Sequence, residues 1–215
     1  MSVEVKICGL KTPAAVNAAT EGGAVMVGFV FFAQSARCLT PALAGALGQL
    51  VPAGIAKVGL VVDATDDEIA AILAEAKLDI LQLHGHESPA RVADIRRHFG
   101  LPVMKAISVS EAADIAAARA YEPVADRLLF DAKPPKSMKD ALPGGNALSF
   151  DWSLLGGKSF SRPWMLAGGL HAGNLAEAVA RTGAKAVDVS SGVEDRPGEK
   201  SASKIKEFLD LAHSL

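Results

Sequence analysis

Two cysteines and one tyrosine in 215 residues, with no long apolar run, set the first limits on this chain. Cys8 and Cys38 make neither a disulfide framework nor the C-x-x-C spacing of metal and redox motifs, so each is expected to be a thiol. The longest apolar stretch, residues 22–33, is broken by glycines and falls short of the ~18 residues that read as a membrane span. The opening MSVEVKICGL lacks the basic region, apolar run and small-residue cleavage site of a secretory signal, and a cytoplasmic location is expected. An excess of one charge is missing too. Lysine and arginine number 22 against 24 aspartates and glutamates, for a net charge of −2. The basic residues are scattered singly, which argues against nucleic acid and membrane partners. Neither a G-x-G-x-x-G fingerprint nor a P-loop is present, so a nucleotide is not the expected ligand.

What is present is an ordinary globular composition, 50% hydrophobic and 21% charged, which excludes disorder, collagen and coiled coil. Apolar, β-branched runs recur at 3–8, 24–31, 56–62, 80–83, 102–107, 128–130, 164–167 and 184–189. Between them, Thr12-Pro13, Thr40-Pro41 and Ser88-Pro89 place a hydroxyl at a helix N-cap and proline in the first turn, and Thr65 with Glu68 reads as a capping box. Helical spacing follows in Ile69, Ile72, Leu73 and Ala76, in Val92, Ile95 and Phe99, and in Ile205, Phe208, Leu209 and Ala212. Strand and helix alternating eight times predict one α/β domain over residues 1–215: a closed parallel eight-stranded (β/α)8 barrel, or TIM barrel. Residues 132–152 carry proline and glycine signals without periodicity and read as a long mobile loop after the sixth strand.

Nearly every strand closes on a polar residue: Cys8, Asp63, His84, Ser108, Asp131 and Asp188. In a parallel barrel these ends share one face, where active sites of this fold lie. Asp63 is expected to be a helix N-cap instead. Gly168-Gly169 and Ser190-Ser191-Gly192 end the last two strands and suit a phosphate nest, because glycine lets backbone N–H groups approach an anion and serine adds hydroxyls. The expected ligand is therefore a small phosphorylated metabolite. Cys8 shares parity with Glu4 and Lys6, which points it into the barrel, and Asp131 ends a strand across from it. A carboxylic acid can protonate a sugar while a thiolate accepts a proton. An unshifted thiol has a pKa near ~8.5, so that role calls for an electropositive or desolvated setting. Two other readings stay open. A metal-dependent sugar-phosphate epimerase would use His84, His86 or His171 with Asp131 and lose activity to a chelator. A non-catalytic module would bind its phosphometabolite without turnover.

Lys6-Ile7-Cys8-Gly9, Gly28-Phe29-Val30-Phe31, Ser35-Ala36-Arg37, Gln82-Leu83-His84-Gly85, Leu129-Phe130-Asp131, Phe150-Asp151-Trp152, Ala167-Gly168-Gly169 and Val187-Asp188-Val189-Ser190-Ser191-Gly192-Val193-Glu194 together resemble the phosphoribosylanthranilate isomerase family of tryptophan biosynthesis. The match runs over almost the whole chain in family order. The resemblance implies an Amadori rearrangement of N-(5-phosphoribosyl)anthranilate to 1-(2-carboxyphenylamino)-1-deoxyribulose 5-phosphate, with no cofactor and no metal, and both a monomer and a homodimer stay open. It implies Asp131 as general acid, Cys8 as general base, and Arg37 facing the anthranilate carboxylate through a bidentate guanidinium contact. Gly168, Gly169, Ser190, Ser191 and Gly192 would hold the phosphate. Asp188 is implied in substrate binding and His84 as a further site residue, with structural hydrogen bonding equally open for both. The chain departs from the family pattern at Ala147, where glycine is frequent, and at Ser201, where an acidic residue is common. These departures bear on loop closure and rate, not on reaction type.

Overall fold

The computed structural model describes residues 2–134, 144–146 and 148–215. Eight strands, β1 Glu4–Cys8, β2 Met26–Val30, β3 Ala56–Val61, β4 Ile80–Leu83, β5 Val103–Val109, β6 Arg127–Ala132, β7 Trp164–Leu166 and β8 Ala186–Val189, close into a barrel in chain order. Each neighbouring pair is parallel, and β1 completes the ring by pairing with β8, where Lys6 stands beside Asp188. The helices are α1 Pro13–Glu21, α2 Pro41–Gly48, α3 Asp66–Glu75, α4 Pro89–Phe99, α5 Ala112–Ala117, α6 Ala172–Thr182 and α7 Ala202–Ser214. None among the described residues is long and apolar enough to cross a membrane.

The strand period of two separates two cores. Val5, Ile7, Leu81, Leu83, Leu128, Phe130, Val187 and Val189 face outward and pack beneath the helices. Met26, Val58, Met104, Leu129, Met165 and Ala186 fill the barrel interior. Lys6, Cys8, Gln82, His84, Asp131 and Asp188 share the inward parity, and all are buried. A row of polar groups thus rises through the interior to the carboxyl-terminal ends of the strands.

The helix starts follow the sequence signals. Thr12, Thr40 and Ser88 accept the N–H three residues on, each with proline in the first turn, and Thr65 and Glu68 form the capping box. Such a cap contributes about 1 kcal/mol. Asp63 is a correction, because it caps no helix. Its backbone turns left-handed at φ 48°, which aims its carboxylate at the neighbouring loop, where it accepts the His86 N–H at 2.6 Å. Thr65, two residues on, takes the cap.

The eightfold alternation is also incomplete among the described residues. After β6 the first helical element is a 3-10 turn, Trp152–Leu154, and α5 runs straight into another, Ala118–Tyr121, shortly before Pro123. A small antiparallel hairpin, β9 Glu194–Arg196 and β10 Glu199–Lys200, was not foreseen. Its residues are polar, and its turn is Pro197-Gly198 with Gly198 at φ 82°, so no apolar alternation marks it. Of the loop read over 132–152, residues 135–143 and 147 lie outside the described residues, and with them the departure at Ala147. Ser201 stands at the start of α7, its N–H donating to the Val193 carbonyl at 2.9 Å.

Candidate active site

A single pocket at the carboxyl-terminal mouth of the barrel is lined by Cys8, Arg37, His84, Asp131, Gly168, Gly169, Asp188, Ser190 and Ser191. These come from β1, the loop after β2, and the ends of β4, β6, β7 and β8, so barrel closure unites residues far apart in the chain. Gly192 stands behind the lining, where loops seven and eight meet. His86 and His171 are elsewhere: His86 is exposed beside Asp63 at 3.1 Å, and His171 caps α6, accepting the Gly173 N–H at 3.1 Å.

Cys8 sits at the end of β1 with Lys6 two residues behind it on the same face. The Lys6 ammonium is fully buried and donates to Asp188 Oδ1 at 2.9 Å. Gly28, opposite Cys8 on β2, makes the room. A Cβ there would stand 2.9 Å from the Cys8 sulfur and 3.2 Å from Lys6 Nζ. Burial disfavours the Lys6 cation, yet Asp188 and Cys8 outweigh it and hold Lys6 above the ordinary lysine range. For Cys8, burial pushes the thiol up, Lys6 pulls it back, Asp188 pushes it up and Lys200 pulls it down; the net displacement is upward. The electropositive partner that a thiolate needs is therefore present, working against desolvation.

This arrangement fixes an expected titration. In a Cys38→Ser background, thiolate absorbance from Cys8 in the ligand-free protein emerges only above the ordinary thiol range, and Lys6→Met moves it higher still, since removing that cation leaves burial and Asp188 opposed by Lys200 alone. Ionisation at or below the ordinary thiol range, or a titration indifferent to Lys6→Met, would remove Lys6 from this role.

Arg37 is 6% exposed, and its side-on fork is already engaged. Nε and Nη2 donate to the two carboxylate oxygens of Glu194 at 2.8 and 2.7 Å. Nη1 abuts Gly145 of the loop after β6. A guanidinium has five N–H groups in one plane, so beside the Glu194 fork the Nη1–Nη2 edge carries two parallel N–H groups whose geometry matches a second carboxylate. The bidentate contact expected of Arg37 is thus available end-on. Glu194 also accepts from Lys200 at 2.6 Å. Burial pushes the Glu194 carboxyl up, but Arg37 and Lys200 more than offset it and hold it below the usual carboxylate range. Lys200 is displaced downward by its own burial, with Glu194 restoring part.

Loops seven and eight meet through their glycines. Gly168 and Gly169 have φ of 88° and 61°, which side chains rarely adopt. A Cβ on Gly192 would lie 1.8 Å from the Leu170 carbonyl oxygen, so loop eight presses directly on the backbone of loop seven. Ser190 is more than a hydroxyl at the pocket wall. Its Oγ donates to the Cys8 carbonyl at 3.1 Å and accepts from Lys200 at 3.2 Å, tying the serine loop to the strand that carries the thiol. On the facing side, Asp131 Oδ1 accepts the Ala132 N–H at 2.8 Å, and Oδ2 lies 3.2 Å from His84 Nε2.

Four participants escaped the sequence reading as participants: Lys6, Gln82, Glu194 and Lys200. Lys6 had a usable signal, since its inward parity with Cys8 buries a lysine and a buried lysine needs an anion. Glu194 and Gln82 stood inside the motifs quoted for the family, without a partner to assign to them.

A family model described as N-(5'phosphoribosyl)anthranilate (PRA) isomerase matches residues 5–211. The N-(5'-phosphoribosyl)anthranilate isomerase of Paramagnetospirillum magneticum is 56% identical over 212 residues, spanning 99% of this chain and 98% of that one. A crystal structure of phosphoribosyl anthranilate isomerase from Thermotoga maritima is 34% identical with a TM-score of 0.87, covering 99% of this chain and 100% of its own. Another, in complex with reduced 1-(o-carboxyphenylamino)-1-deoxyribulose 5-phosphate, is 32% identical with a TM-score of 0.83, over 99% and 100% of the two chains.

Proposed function

The chain belongs to the N-(5'-phosphoribosyl)anthranilate isomerase family of tryptophan biosynthesis, and from that premise we propose that Asp131 and Cys8 divide the proton transfers of an Amadori rearrangement between them. The observation that carries this reading is the convergence of the Asp131 carboxyl and the Cys8 thiol, from β6 and β1, on one pocket. The ligand named in the related complex has three parts, a carboxyphenyl group, a sugar chain and a phosphate. The pocket has a complement for each.

Gly168, Gly169, Ser191 and the loop-seven to loop-eight contact at Gly192 supply a glycine-rich backbone surface for the phosphate, and Ser190 braces that surface against β1. The free edge of Arg37 takes the anthranilate carboxylate. Asp131 then protonates the ribose ring oxygen. As the bond from that oxygen to C1 breaks, the nitrogen lone pair forms C1=N, leaving an open-chain iminium. The Cys8 thiolate, facing Lys6, removes the proton from C2, and the electrons of that C–H bond form the enolamine. Tautomerisation gives the ketone. Asp188 holds the Lys6 ammonium against Cys8 and takes no proton itself.

Turnover is measured by the loss of freshly made phosphoribosylanthranilate, and the substrate orientation is tested at Arg37. Arg37→Ala raises KM strongly, with a smaller loss of kcat because a misplaced ring is misaligned for reaction. Lysine at 37 rescues only in part, since it restores charge without the two-donor edge or the grip of Glu194. With an analogue lacking the carboxylate, wild type and Arg37→Ala perform alike. If the mutation costs as much with that analogue, Arg37 does not read the carboxylate.

A further inference from the structure

Asp131 has a second neighbour whose arrangement the acid–base scheme leaves unused. The His84 ring lies between two polar side chains, with Nδ1 3.1 Å from the amide nitrogen of Gln82 and Nε2 3.2 Å from Asp131 Oδ2. Gln82 is fully buried and His84 is 7% exposed. With the Gln82 amide in this orientation its nitrogen donates to Nδ1, and a neutral ring then carries its proton on Nε2, aimed at the carboxyl. That nitrogen is buried and makes no well-formed hydrogen bond among the described residues.

The surroundings hold the ring there. The His84 N–H donates to the Val61 carbonyl at 2.9 Å. On either side of it, the Leu83 and Gly85 carbonyls both accept from the buried Lys105 ammonium, at 3.3 and 2.7 Å, and Lys105 is itself paired with Glu87 at 2.7 Å. Neither Lys105 nor Glu87 lines the pocket that holds Asp131; their effect is to clamp the backbone that carries His84. Gly144 closes the other side. A Cβ there would stand 2.7 Å from Asp131 Oδ2 and 2.9 Å from His84 Nε2, so a side chain at 144 would crowd both the carboxyl and the ring.

We propose that His84 is a positioning residue for the acid: Gln82 locks its neutral ring with the proton on Nε2, and that N–H is a waiting donor which closes on Asp131 as the carboxyl becomes a carboxylate. The inference rests on Asp131 being the acid. While the acid still carries its proton, the carboxyl attracts the donor weakly. As its O–H bond breaks and the proton passes to the ribose oxygen, negative charge collects on the carboxylate, and a fixed N–H stabilises charge that exists only from that point on. His84 neither gains nor loses a proton. Asp131 is reprotonated when the enolamine hydroxyl at C2 gives up its proton and becomes the ketone, while the Cys8 S–H returns its proton to C1, so the protein ends as it began.

Nitrogen-15 spectroscopy of labelled wild-type protein reads the tautomer directly, and the expected neutral ring carries its proton on Nε2. A ring protonated on Nδ1 overturns the proposal, whatever the variants do. Kinetics add a second readout, because a glutamine at 84 can set its amide nitrogen near the place of Nε2, whereas asparagine reaches only as far as Nδ1. His84→Asn lowers kcat about tenfold or more with KM little changed, and His84→Gln recovers most of the loss. Equal activity in the two variants overturns the proposal, since a mere spacer makes no such distinction. If neither variant folds, the wild-type tautomer decides. Wild-type turnover in Asp131→Asn would instead remove the acid, a different failure from equal asparagine and glutamine variants beside an inactive Asp131→Asn.

Discussion

Asp131→Asn and Cys8→Ala each lower kcat by ~10²-fold or more while a product analogue binds almost as well as to wild type. Asparagine keeps the shape of Asp131 and can still accept the Ala132 N–H through the oxygen that now does so at 2.8 Å. What it loses is a proton acidic enough to reach the ribose oxygen. Alanine at position 8 removes the sulfur but leaves Lys6 paired with Asp188 at 2.9 Å, so no buried cation is stranded. Neither change alters Arg37 or the backbone of the glycine loops, and for that reason binding survives. The effect falls on kcat because acid and base act on atoms that carry charge only as bonds break. Near-normal turnover in either variant would remove that residue from the mechanism. Burial pushes the Cys8 thiol up, so the thiolate that the base role requires depends on the opposing pull of Lys6.

Gly192→Ala is the second large effect, and it falls on binding. The new methyl would stand 1.8 Å from the Leu170 carbonyl oxygen, far inside contact distance, and the obstacle is backbone, not a side-chain end that can swing aside. Loop eight must retreat from loop seven, and the phosphate surface opens along that seam. KM rises ~10-fold or more, and inhibition by inorganic phosphate weakens in parallel, because both draw on the same backbone groups. Circular dichroism and the thermal midpoint report whether the barrel itself survives, as it should, since Gly192 lies beyond the end of β8. A folded variant with unchanged phosphate inhibition would place the anion elsewhere.

The parts of this protein legible in its sequence are those set by local periodicity. Alternation in Val3 to Cys8 points Lys6 and Cys8 inward, and hydroxyl-proline pairs start helices, because both depend on residues within one turn or one strand. Asp63 was misread for a local reason as well: a left-handed φ at a non-glycine residue has no marker in residue type. The pairings that define the site are another matter. Arg37 meets Glu194 across 157 residues and Lys6 meets Asp188 across 182, contacts that exist only once β8 closes against β1. A motif can nominate Arg37 for a carboxylate, but it cannot say that Glu194 already holds two of its five donors. The same holds for Gln82, whose importance lies in which ring nitrogen of His84 it faces.

The division of labour between Asp131 and Cys8 is tested most directly by trapping the open-chain imine. Each variant is mixed with fresh phosphoribosylanthranilate and borohydride, and the reduced secondary amine is quantified against a protein-free control. Cys8→Ala still opens the ring but cannot remove the C2 proton, so it accumulates the imine and yields reduced adduct well above the control. Asp131→Asn cannot open the ring and yields no more than the control. Adduct formed by Asp131→Asn, or none above the control from Cys8→Ala, would contradict the assignment of ring opening to the carboxyl and C2 deprotonation to the thiol.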